Sequence, residues 1–140
     1  MLYGGFDSTL DAKGRVVLPT KLRNELGNDF QLMKGFGEYV AIYPAEHYEK
    51  MLEEMMQMKK SSNEYLAFAR HVLGTSHDGE IDGNGRVRIP AELRKESKLE
   101  KSVRIIGVGD HNEIWDSEVF AQNSILSAPL VEKAREIITY

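Results

Sequence analysis

Two short strings carry most of the chemical information in this 140-residue chain: "DAKGR" at 11–15 and "DGNGR" at 82–86. Each places a carboxylate four positions before a guanidinium, with a glycine just ahead of the arginine. Asp11 and Asp82 can accept backbone N–H bonds at the first position of a turn, and Gly14 and Gly85 supply the positive φ that closes it. Arg15 and Arg86 then open a return strand, with Lys13 or Asn84 at the tip. A carboxylate beside an arginine orients a planar fork of donors that suits phosphate oxygens or the O6/N7 edge of guanine. The same spacing also describes a hairpin closed by a local ion pair. Taken singly, each turn leaves that choice open.

Repetition changes the balance. Shifting the sequence by 71 aligns Asp7–Leu26 with Asp78–Ser97, and nine of the 20 positions are identical. With a one-residue insertion the correspondence resumes, setting "AIYPAEHY" opposite "EIWDSEVF". Units of this size bury their apolar faces best against each other, so one joint fold is expected. The predicted organisation is a first unit over 5–47, connecting helices over 48–75, a second unit over 76–119, and a helical tail over 120–140.

The elements that position the turns follow from local pattern. "STL" and "GEI" read as strand ends, and "RVVLP" and "RVRIP" as β-branched return strands of type I hairpins with a glycine bulge. Pro19 and Pro90 suit the first position of the helices "PTKLRNELG" and "PAELRKESKL", the first ended by Gly27. "FQLMK", "YVAIY", "VRIIGV" and "NEIWD" read as further strands. Two helical patterns follow the first unit, with Tyr48, Met51, Leu52 and Met55 on one face and Tyr65, Phe68, Ala69, Val72 and Leu73 on the next. A last helix over "PLVEKAREII" puts Leu130, Ala134, Ile137 and Ile138 together. The Met-rich stripe reads as core or a subunit seam.

Charge sharpens the functional reading. The chain carries a formal −4, yet base is concentrated in the repeats. Lys13, Arg15, Lys21 and Arg23 crowd the first, and Arg86, Arg88, Arg94 and Lys95 the second, while 110–140 is acidic. With no cysteine, disulfides and thiolate metal sites are excluded. The N-terminus lacks the pattern of a secretory signal, and a cytoplasmic protein is expected. "DGEIDG" at 78–83 imitates a calcium loop, but Ile89 stands where a bidentate glutamate belongs. "GVGDHN" at 107–112 reads as a turn rather than a dinucleotide loop. His47, His71, His77 and His111 show no metal-ligand spacing and read as surface or interface residues. No metal, cofactor, small-molecule substrate or catalytic role is expected.

The two D-x-x-G-R hairpins, each followed by a P-x-x-L-R helix, resemble the MraZ family, whose two units are of the SpoVT-AbrB type. The likeness runs from "MLYGGFDSTLDAKGRVVLP" through "YVAIYP" to "DGNGRVRIPAELR". It implies an α+β fold, a pseudo-symmetric double swapped-hairpin β-barrel with flanking helices. It also implies a nucleoid-associated regulator that binds double-stranded DNA as an octamer-like or larger homo-oligomeric ring. The implied targets are repeated sites ahead of the division and cell-wall gene cluster. The family motif falls on Asp11 and Arg15, and on Asp82 and Arg86. The expected DNA-binding residues are Lys13, Gly14, Arg15, Asn84, Gly85 and Arg86, with Asp11, Asp82, Lys21, Arg23, Arg88 and Arg94 in support. The first hairpin is expected to reach DNA through its tip, the second through its strand face or against a neighbouring subunit. The rival readings are an AbrB-like protein-interaction module without DNA binding, and a carboxylate-dependent hydrolase.

Overall fold

The computed structural model describes residues 1–139. Its first strand, β1 (Leu2–Thr9), extends well beyond the predicted "STL". The first turn leads into β2 (Arg15–Val17) and α1 (Thr20–Leu26), followed by the hairpin of β3 (Phe30–Lys34) and β4 (Tyr39–Pro44). Two helices intervene, α2 (Ala45–Met56) and α3 (Asn63–Thr75). The order then recurs as β5 (His77–Asp78), β6 (Arg86–Arg88), α4 (Ala91–Glu96), β7 (Ser102–Gly109) and β8 (Asn112–Asp116). The chain closes with α5 (Ser117–Ile137). This is a mixed α+β architecture built on antiparallel pairing.

The two rounds interlock. The main sheet runs β1-β7-β8-β4-β3-β5, with Tyr39–Ile42 of β4 against Asn112–Trp115 of β8 at its centre. The opening strand of each round therefore pairs with the hairpin of the other: β1 lies on β7, and β5 on β3. The return strands do the same. β2 and β6 form a separate two-stranded ribbon, with Arg15 opposite Arg88, Val16 opposite Val87 and Val17 opposite Arg86. The predicted local hairpins are corrected accordingly. Within its own round each return strand makes a single bridge, Leu10 to Val16 and Ile81 to Val87.

Packing explains why so short a ribbon holds. A two-stranded ribbon is marginal by itself. Val16, Leu18, Val87 and Ile89 are nonetheless completely buried, against Leu32, Val40, Ile42, Val103, Ile105 and Ile114 of the main sheet. Each such side chain contributes roughly 1.5–3 kcal/mol, which anchors the ribbon from beneath. Leu22 and Leu93 bring α1 and α4 into the same core. The alternating residues of the sheet face the other way. Met33, Ala41 and Tyr43 pack under α2 and α3 with Tyr48 and Val72, while Met51, Leu52 and Phe68 are partly buried there.

Three boundaries depart from the sequence reading. Pro19 and Pro90 stand at the N-cap, one position before the first helical residue, with extended backbone. α4 ends at Glu96 rather than continuing through "SKL", and Lys98 takes a positive φ of +57 at the position that Gly27 holds after α1 with φ +71. The last helix begins twelve residues before Pro129 and carries that proline inside it. The proline reads as a helix start because its ring suits the first turn. Here it interrupts the hydrogen bonding of a helix that has no buried residue, where water can reach the freed carbonyl.

Candidate nucleic-acid interface

The two turns are near copies. In the first, Asp11 Oδ1 accepts from the backbone N–H groups of Lys13 at 2.9 Å and Arg15 at 2.8 Å, while Arg15 Nε donates to Oδ2 at 2.7 Å. In the second, Asp82 Oδ1 accepts from Asn84 at 2.9 Å and Arg86 at 3.0 Å, and Arg86 Nε donates to Oδ2 at 2.8 Å. Gly14 N donates to Asp11 O and Gly85 N to Asp82 O, both at 3.0 Å, with φ +76 and +73 at the two glycines. The backbone bond from Arg15 leads the interactions that hold the Asp11 carboxyl below its ordinary range, and Arg86 does the same for Asp82. Both aspartates therefore stay ionised and fix the adjacent arginines. Each carboxylate uses Nε alone, so the terminal nitrogens of Arg15 and Arg86 have donors to spare.

Beneath each turn lies an arginine from the other repeat. A Cβ added to Gly14 would meet Arg94 Cζ at 2.5 Å, and one on Gly85 would meet Arg23 Cζ at 2.8 Å. Leu18 N donates to Gly85 O at 3.0 Å, and Ile89 N to Gly14 O at 2.8 Å. The glycines thus have a structural duty, letting the guanidinium and backbone of the other repeat approach. Arg23 donates to Leu18 O at 3.1 Å and to Thr20 Oγ1 at 2.9 Å, which ties it to its own repeat. Ala91 stands where Thr20 would in the second repeat, and Arg94 Nε is buried without a partner among the described residues. Lys21 leaves the ribbon altogether, with its ammonium 3.5 Å from the centre of the Tyr3 ring.

The outer face of the ribbon collects the rest. Val16 and Val87 point inward, so Arg15, Val17, Arg86 and Arg88 share the opposite face, with Lys13 and Asn84 exposed at the two tips. Sequence alternation finds each arginine's face. It does not reveal that Arg88 stands directly across from Arg15, because nothing in a three-residue strand names its partner.

Gly14→Ala tests the buried support. The substitution forces an L side chain into a left-handed backbone, at about 1–2 kcal/mol, and drives its Cβ into Arg94. A clearly lowered thermal midpoint is expected, whereas Gly83→Ala, with open space around it, leaves the midpoint nearly unchanged. Equal melting of the two variants would contradict the packing.

A second concentration of titratable groups lies at the β7–β8 turn. His111 stacks 4.6 Å from Tyr43 and 6.5 Å from Tyr39, with Nδ1 2.6 Å from Asp110 and Nε2 3.3 Å from Glu113. Burial opposes protonation of His111, but the two carboxylates outweigh it and raise its pKa. Burial also pushes the Tyr43 phenol up to about 12, which keeps it protonated. Glu113, burial notwithstanding, is held down by bonds from His111 and Trp115. This cluster ties the hairpin to the aromatic layer. The stabilisation from His111 is complete below its unfolded pKa and is lost as pH rises through the raised folded value. Melting temperature is therefore expected to fall from about pH 6.5 upward, and His111→Gln to flatten that decline. A wild-type profile flat from pH 6 to 9 would refute it.

Among the described residues no three His, Asp or Glu side chains gather as a metal site, and no helix is long and apolar enough to cross a membrane. Asp78 of the calcium-like string instead accepts from Gln31 Nε2 at 2.6 Å.

The family model described as "MraZ protein, putative antitoxin-like" matches residues 1–70 and 72–138. The chain belongs to the MraZ family. Among its relatives, a transcriptional regulator MraZ from Thermoanaerobacter sp. (strain X514) is 40% identical over 124 residues, covering 89% of this chain and 87% of the relative. One from Lactiplantibacillus plantarum is 38% identical over 122 residues, covering 87% and 86%. A solved structure, the solution structure of PHS018 from Pyrococcus horikoshii, overlaps 79% of this chain and 94% of its own at 14% identity and TM-score 0.36. Membership of the MraZ family places the chain among transcriptional regulators and points to a role other than catalysis.

Proposed function

We propose that this MraZ-family chain binds double-stranded DNA in a sequence-specific manner, through the outer face of the β2–β6 ribbon, as a ring-shaped homo-oligomer. On this reading it works in the cytoplasm at the nucleoid, regulating the division and cell-wall gene cluster. The observation that carries it is the ribbon face, where Lys13, Arg15, Arg86 and Arg88 project from a two-stranded element over a rigid, buried base. A two-stranded ribbon fits the major groove, and its arginines suit guanine edges or phosphates. The interlocked pairing of β1 with β7, β5 with β3, and β2 with β6 supports a swapped-hairpin barrel of the AbrB type, with repeat units over 5–47 and 76–119.

The assembly is supported by α5. Aligned on the repeat, Phe120 matches Tyr48, and each ring meets its strand aromatic edge-on, Phe120 to Trp115 at 5.7 Å and Tyr48 to Tyr43 at 6.4 Å. Beyond that point the two helices diverge. Met51, Leu52 and Met55 of α2 face Asn123, Ser124 and Ser127 in the alignment, while Glu53 and Glu54 face Ile125 and Leu126. From Ala121 to Ile137 every side chain of α5 but the half-buried Ser127 is exposed, so its apolar residues find no cover within the chain. Leu126, Leu130, Val131 and Ile137 are 64–78% exposed. A helix of 21 residues, about 32 Å long, is thereby left for a neighbouring subunit to cover.

Few phosphate contacts per chain give weak, salt-sensitive binding, and an oligomer multiplies them. The test is binding of a duplex taken from the DNA ahead of the chain's own gene, titrated against salt. Affinity that falls steeply with salt and exceeds that for scrambled duplex is expected. No binding, with one protein copurifying instead, would favour the antitoxin-like interaction module.

A further inference from the structure

On the ribbon and its turns the two repeats differ at their basic positions in two ways. Lys13 corresponds to Asn84, and Val17 to Arg88. Along the sequence these differences offset each other, one cation missing from the second repeat and one added. The antiparallel register of the ribbon makes them add instead. Arg88 lies opposite Arg15, next to the turn that carries Lys13, and Val17 lies opposite Arg86, next to the turn that carries Asn84. One end of the ribbon therefore holds Lys13, Arg15 and Arg88, with Asp11 paired to Arg15 and with Asp78 and Glu80 lining a cavity beside Arg88 without an ion pair to it. The other holds Arg86 against Asp82, with neutral Asn84 and an apolar Val17 that is 51% exposed.

Ion pairing leaves this imbalance intact. Arg15 and Arg86 are each matched by their own turn aspartate, at 2.7 and 2.8 Å. Lys13 and Arg88 have no ion-pair partner among the described residues. The first end has two cations outside any ion pair and the second none. The helices beneath carry a smaller opposite trend. α4, under the first turn, has Glu92 where α1, under the second, has Lys21, whose ammonium is turned onto Tyr3, but it also has Lys95 where α1 has Asn24.

We infer that the ribbon grips DNA with a polarity: Lys13, Arg15 and Arg88, drawn from both repeats, form one composite phosphate-binding end, and the Arg86 end contributes less. Arg88 then belongs to the contact of the first repeat rather than to a subunit seam. Each subunit lies on the duplex in one direction, despite its internal pseudo-symmetry. The inference rests on the ribbon being the DNA-binding surface, and its test separates the two claims.

The experiment measures affinity for the same upstream duplex across salt concentrations, beside particle size by light scattering, for wild type, Lys13→Ala, Arg88→Ala, Arg15→Ala, Arg86→Ala and Val17→Arg. Lys13→Ala and Arg88→Ala are each expected to lower the slope of log affinity against log salt by about 0.9 for every phosphate no longer neutralised, without altering particle size. Arg15→Ala should weaken binding more than Arg86→Ala, and Val17→Arg should steepen the slope. A wild type without salt-dependent binding would overturn the DNA reading and this one with it. Normal wild-type binding with Arg88→Ala unchanged in slope, or with Arg86→Ala as damaging as Arg15→Ala, would overturn the polarity alone. A changed particle size in Arg88→Ala would return that residue to a subunit contact and overturn the composite end.

Discussion

Arg15→Ala is expected to lower duplex affinity at least tenfold while leaving the thermal midpoint close to that of the parent. One guanidinium contact to a base edge or phosphate is worth about 1–3 kcal/mol, or roughly 5- to 150-fold, and the loss recurs in every subunit that engages DNA. Stability is a separate matter. With Arg15 shortened, Asp11 still accepts from the backbone N–H groups of Lys13 and Arg15, and Gly14 N still donates to Asp11 O. A surface change of this kind typically stays within about 0.5 kcal/mol. Asp11→Ala makes the contrast, since it removes every bond to the carboxylate and should lower the midpoint more than Arg15→Ala does. Melting curves and DNA titrations on the two variants decide between a turn that is merely closed by an ion pair and one that presents an arginine. If Arg15→Ala unfolds the protein, or binds DNA as well as its parent, the ion pair is the whole purpose of the motif.

Leu126→Lys combined with Leu130→Lys is expected to reduce the oligomer to smaller species and to cut DNA affinity by a factor on the order of 10²–10⁴, the range that multivalent engagement supplies. Both side chains are more than three-fifths exposed in the chain itself, so folding should survive. Charge placed on an apolar seam opposes association through desolvation. Sedimentation shows the assembly state, and a circular-dichroism melt checks that the fold remains. An unchanged particle size would mean that the stripe of α5 faces water in the assembled protein.

The repeat, the turns and most of the elements can be read directly from the residues, because each depends on neighbours in the chain. Asp11 and Gly14 define a turn whatever lies around them, and Val16 and Val87 declare an inward face by alternation. The partner of each strand is not legible in the same way. β2 and β6 are three residues long, and their pairing is decided by the buried packing of Val16, Leu18, Val87 and Ile89 on a sheet drawn from both repeats. The roles of Arg23 and Arg94 follow from that pairing, since each supports the turn that belongs to the other repeat. Lys21 sits within the basic cluster of the sequence, yet one helical turn carries it to Tyr3. α5 reads as a shorter helix because Pro129 suits a helix start, whereas on a solvated helix it is also tolerated inside.

Hydrogen exchange of the intact oligomer, with and without the duplex from ahead of its own gene, tests most directly whether the ribbon is the DNA-binding surface. Protection concentrated in residues 11–17 and 82–88, deeper at the Lys13–Arg88 end, is the expected result. Protection confined to α2 and α3, or none in either turn at saturating DNA, would contradict it.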